Sequence, residues 1–154
     1  MIYKFFLFIH SWMRWLVLVL MLLSLIVAIS SLLKKSAFSS HHERLFRFSR
    51  IVFGVELLIG ILLYFIWSPV VTQVLYHGLS LFESRYFFFT LKHPLTMFAA
   101  FILCKIVENK ALKASNDQRK FKIWFWGNLA VLMALLLAIP WPFYKEVGRS
   151  LFRY

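Results

Sequence analysis

Four ionisable residues, His10, Arg14, Glu56 and His93, stand inside stretches that are otherwise apolar enough to cross a bilayer. Charges at such depth are costly, so they mark either functional positions or mutually paired groups. The chemistry open to them divides in two. A neutral imidazole binds iron through one ring nitrogen, and its other nitrogen needs a partner to fix the tautomer. Arg14 and Glu56 can form a buried ion pair; alternatively the arginine contacts a propionate or a quinone carbonyl and the acid carries a proton. The plain structural role of a histidine in such a segment is a hydrogen bond to a neighbouring helix.

What these side chains can do together depends on the elements that carry them. The first apolar span covers Phe5 to Leu33 and is closed by Lys34-Lys35. The second runs from about Phe46 to Trp67, where Ser68-Pro69 blocks continuation. Gly54 and Gly60 within it allow close helix approach at two levels. Pro69 to Arg85 is too short and polar to span. Val71, Val74, Leu75, Leu79 and Phe82 recur there at helical spacing, as in a helix lying in the interface, with His77 on its wet side. The third span is Tyr86 to Val107, and its Pro94 leaves the Thr90 carbonyl without a donor, which predicts a kink and a neighbouring polar partner. The fourth covers roughly Phe121 to Ile139, ended by Pro140-Trp141-Pro142. His41-His42, between spans one and two, reads as a solvated loop pair. The expected fold is one all-α membrane domain over residues 1–154, an up-down four-helix transmembrane bundle with a short interfacial helix between spans two and three.

Composition agrees with that class. The chain is 62% hydrophobic and 19% aromatic, against roughly 45–50% apolar residues in a soluble domain. The net charge of +12 does not indicate nucleic acid, because 11 of the 18 Lys+Arg cluster at Lys34 to Arg50 and Lys105 to Lys122. Those clusters form the two connections expected on one side, the positive-inside pattern. Both termini then face the periplasm of a bacterial inner membrane, and the N-terminal span, lacking a cleavage motif, is retained. Cys104 is the sole cysteine, which excludes an intrachain disulfide and a Cys-x-x-Cys-His attachment.

Spans one and three run parallel. His10 lies about five residues beyond Phe5 and His93 about seven beyond Tyr86, a depth difference of about 3 Å. Two imidazoles at one level on parallel helices suit the axial positions of one non-covalent haem b. The same reckoning places Arg14 and Glu56 within about 3 Å in depth, as an ion pair requires. Arg14 lies deeper than His10, so Lys4, Arg85, Lys92 and Arg149 are better placed for haem carboxylates.

The blocks His10-Ser11-Trp12-Met13-Arg14-Trp15, Glu56 to Gly60 with Tyr64 and Ser68-Pro69, His93-Pro94, and Ile139 to Phe143 with Gly148-Arg149 carry a resemblance. In order and spacing, over nearly the whole chain, they resemble small four-helix bacterial membrane proteins usually labelled cytochrome b. The chain departs from that pattern at Lys92, where an acid is usual, and at Glu56, where an amide is usual. The resemblance implies a b-type haem and electron transfer. His10 and His93 are then the ligands, Arg14 and Arg149 the other cofactor contacts, and quinone or other membrane or periplasmic redox subunits the partners. The alternatives are a cofactor-free scaffold or assembly subunit of a larger membrane complex and, third, a transporter using Glu56 and Arg14. There is no nucleophile constellation or phosphate loop to suggest a hydrolase or kinase.

Overall fold

The computed structural model describes residues 2–77 and 83–152, and all regular structure among them is helical. Six helices follow in order: α1 (Ile2–Leu33), α2 (Ser40–Leu62), α3 (Pro69–His77), α4 (Ser84–Phe87), α5 (His93–Leu112) and α6 (Asp117–Ala138). Wider π-type turns at Leu63–Trp67 and Phe88–Lys92 extend α2 and join α4 to α5. Four of the resulting segments, Ile2–Leu33, Ser40–Val74, Arg85–Leu112 and Asp117–Ala138, are long and apolar enough to cross a membrane. Leu33, Phe65, Leu95 and Val19 are among many large apolar side chains on the outer surface. So much apolar surface is incompatible with water. The chain is a multi-pass membrane protein.

Side-chain pairs fix the topology. Ser24 meets Ser49 at 2.9 Å, while Gly60 faces His10, so α1 and α2 are antiparallel. Gly54 packs on Phe101 while Arg50 meets Glu108, and Gly127 lies under Val107 while His93 meets Ala138 O, which sets α5 antiparallel to both α2 and α6. Helix α1 borders α2 and α6, and α5 borders the same two. The parallel helices α1 and α5 therefore stand on one diagonal of an up-down bundle.

The helix ends differ from their apolar limits for local reasons. Helix α2 begins six residues ahead of Phe46 because Ser39 caps it: the Ser39 N–H donates to His42 Nδ1 at 3.1 Å, and the Ser39 hydroxyl lies 2.8 Å from the same nitrogen. His42 takes the place Glu or Gln holds in a capping box. His41-His42 is thus the first helical turn and not a loop. Asn116 caps α6 by accepting from the Arg119 N–H at 2.8 Å, so this helix too starts in polar sequence. The interfacial helix is described from Pro69 to His77; the rest of that stretch, and the expected wet-side placement of His77, lie outside what the structure describes.

Packing is solid through two levels. Nearest the basic connections, Ala28, Phe46, Val107, Ala111 and Trp124 form one cluster, with Phe46 and Trp124 stacked at 4.2 Å. At mid-bundle, Val17, Met21, Phe53, Cys104, Val131 and Leu135 form another. Glu108 is buried at the basic end and is held by Arg47 and Arg50 of α2. The third level, around His10 and His93, is built differently.

Candidate functional site

At that level the bundle encloses a cavity of about 540 Å³, within the range of small-molecule and cofactor sites. His10, Arg14, Glu56, Tyr64, His93 and Arg149 are among its polar lining residues. Its apolar wall includes Phe65 and Leu95, 76% and 63% exposed, so on that side the cavity borders the hydrocarbon phase.

The His10 and His93 rings meet across the diagonal with centroids 6.4 Å apart and planes at 85°. A metal–imidazole bond is about 2 Å and a ring nitrogen sits roughly 1 Å from its ring centre, so one metal between two imidazoles requires centroids about 6 Å apart. The observed spacing suits that bridge. Among the described residues no group of three or more His, Cys, Asp or Glu side chains could hold a metal ion.

Proline places the partner of His93. A proline lacks the N–H that would close a helical bond to the carbonyl four residues earlier. Helix α6 stops at Ala138 because Ile139, ahead of Pro140, is extended, so Ala138 O has no helical donor and His93 Nδ1 donates to it at 2.7 Å. A carbonyl can only accept, so the neutral ring carries its proton on Nδ1 and Nε2 holds the lone pair. Pro140 also orphans Leu136 O, which accepts from Trp141 Nε1 at 2.7 Å. Pro94 orphans Thr90 O, which accepts from the Tyr64 hydroxyl at 3.0 Å. That last bond is the polar partner expected at the third-span proline, and it joins the two π-type turns.

Glu56 engages the other histidine. Its Oε1 lies 3.0 Å from His10 Nδ1. The oxygen sits off the line of a well-formed hydrogen bond, and Glu56 Oε2 is buried without a partner. The expected Arg14–Glu56 pair is therefore replaced by a His10–Glu56 pair. Arg14 instead donates to the backbone of the C-terminal segment, at 2.6 Å from Leu151 O, and the Trp15 indole shares that acceptor at 3.2 Å. Depth arithmetic gives position along the helix axis but not direction around it, and one turn separates His10 from Arg14.

The C-terminal segment closes the end of the bundle. Phe152 packs on Trp12 and Trp15, and the Arg149 N–H donates to Pro140 O at 3.0 Å. The Arg149 guanidinium lies 4.8 Å from the Phe89 ring centre and lines the cavity. Gly148 makes the turn possible, since a Cβ there would lie 2.6 Å from Tyr144 O and 2.8 Å from Trp141 O. Arg14 and Arg149 thus reach one cavity from different elements, and both can serve an anionic group within it.

Three contributors lie beyond the sequence reading: the Ala138 carbonyl, the covering C-terminal segment, and Gly60 as the surface against which His10 rests. The first had a usable signal in Ile139-Pro140, where the helix stops. Against protein-family models, curated proteins and solved structures, the chain has no match.

Proposed function

We propose that this protein is a b-type haem-binding electron-transfer protein of the bacterial inner membrane, with His10 and His93 as axial ligands, akin to the small four-helix proteins labelled cytochrome b. The observation that carries this reading is the 6.4 Å ring separation across the bundle diagonal, with each Nδ1 next to an acceptor, Glu56 or Ala138 O. Neither Nε2 has a hydrogen-bond partner among the described residues. Iron in a bound haem would supply one-electron exchange. The chain's own residues do the rest. His10 and His93 provide nitrogen ligands, Arg149 and Arg14 offer cations for carboxylates, and the apolar lining excludes water. The covering segment from Trp141 to Phe152 shields the end of the site.

The basic connections Lys34 to Ser39 and Lys113 to Asn116, with the flanking turns of α2, α5 and α6, are assigned to the cytoplasm by the positive-inside pattern. The histidine level then lies toward the periplasm. One haem near one face does not carry an electron across the bilayer, so exchange is with quinone in the membrane or with a membrane or periplasmic redox subunit.

The test is a visible spectrum of the protein purified after haem-replete expression. A Soret band that is lost in both His10→Ala and His93→Ala supports the reading. Its absence from the wild-type protein overturns it and leaves the cofactor-free scaffold.

A further inference from the structure

The two imidazoles face unlike acceptors, and His10 Nδ1 makes no aligned hydrogen bond. His93 donates to the neutral carbonyl of Ala138 at 2.7 Å, whereas His10 Nδ1 lies 3.0 Å from a carboxylate oxygen. Glu56 has only 9% of its side chain exposed, and its second oxygen has no partner within the protein. Gly60 lies one turn further along α2. A Cβ there would approach His10 Cε1 to 3.3 Å, so the ring rests close against the helix that carries the acid. A carboxylate polarises a ring N–H more strongly than a carbonyl does and raises the donor strength of the opposite nitrogen. Stronger donation to iron favours the oxidised state and lowers the reduction potential.

Resting on the haem reading, we propose that Glu56 is the positioning residue for His10. Its carboxylate keeps the proton on Nδ1, leaves Nε2 as the ligating nitrogen, and makes His10 the more strongly donating of the two axial ligands. The reduction potential of the site is thereby held low. Arg14, on the same helix as His10, and Arg149 line the same cavity, and their positive charge acts in the opposite direction. Glu56 is the acidic member of that polar lining.

The test has two arms. In the haem-free protein, nitrogen-15 NMR of labelled histidine reads the tautomer of each ring. The expected result is His10 protonated on Nδ1 in the wild type and in Glu56→Asp, with a shift toward the Nε2–H form in Glu56→Ala. A His10 tautomer that does not change in Glu56→Ala overturns the proposal. In the haem-loaded protein, Glu56→Gln is expected to move the midpoint potential upward. Glu56→Asp stays nearer the wild type, and Glu43→Gln at the other end of the bundle leaves the potential unchanged. An unaltered potential in Glu56→Gln overturns the proposal. A wild-type protein that takes up no haem removes the claim about potential together with the reading beneath it, and the haem-free NMR then reports on the Glu56–His10 contact by itself.

Discussion

Tyr64 and Thr90 join the two irregular turns of the bundle: the Tyr64 hydroxyl donates at 3.0 Å to the carbonyl that Pro94 leaves without a helical donor. This bond sets the π-type turn at Leu63–Trp67 beside the one at Phe88–Lys92. His93 follows directly on the second turn, so its placement depends on that junction. Such single-turn widenings occur often at functional sites.

Removing the hydroxyl tests the junction. Tyr64→Phe leaves Thr90 O without its donor and is expected to cost about 1 kcal/mol. Chemical unfolding in detergent micelles measures this, and the wild-type midpoint in Tyr64→Phe would show that the bond does not hold the turn.

Close approach of α5 and α6 depends on Gly127. A Cβ there would lie 2.3 Å and 2.4 Å from the two Val107 methyl groups. Gly127→Ala is therefore expected to destabilise the bundle by about 1–3 kcal/mol through overpacking. Adding Val107→Ala should restore most of the loss. If the double variant is no more stable than the single one, the contact is not the cause.

The buried acid at the basic end makes a different prediction. Glu108 is 9% exposed at its side chain and is held by Arg50, itself 24% exposed, with Arg47 at 3.7 Å. Breaking a fully buried pair costs about 3–5 kcal/mol, and the partial access of Arg50 to water reduces this to about 2 kcal/mol for Glu108→Leu. Glu108→Leu combined with Arg50→Leu is expected to recover part of the loss, read from the same unfolding curves.

Sequence patterning carries the spans and the level of the two histidines because hydropathy and the fixed helical rise report position along an axis. Direction around the axis is not carried in the same way. Arg14 and Glu56 match in depth, yet the acid meets His10 and the arginine meets Leu151 O. The covering segment has no periodicity to read, and its path depends on Gly148 and on the Pro140 carbonyl, which accepts from the Arg149 N–H. Helix starts at Ser40 and Asp117 lie in polar sequence, where capping rather than apolar content decides the boundary. Glu108 stands at the end of an apolar run beside basic residues, and only the fold reveals that α2 turns Arg47 and Arg50 toward it.

Orientation has its own test. The positive-inside assignment expects Lys35→Cys and Ser115→Cys to react with an impermeant thiol reagent only from the cytoplasm, in a Cys104→Ala background. Glu146→Cys is expected to react from the periplasm. The reverse pattern would place the histidine level at the cytoplasmic face.

The most direct measurement of the central claim is the low-temperature electron paramagnetic resonance spectrum of the oxidised, haem-loaded protein. The two imidazole planes stand at 85° to one another. Ligation by both in that arrangement predicts a low-spin signal of large anisotropy, dominated by a single feature at high g, and its loss in either His10→Ala or His93→Ala. A high-spin axial signal in the wild-type protein, or a spectrum that neither substitution alters, would contradict ligation by this pair.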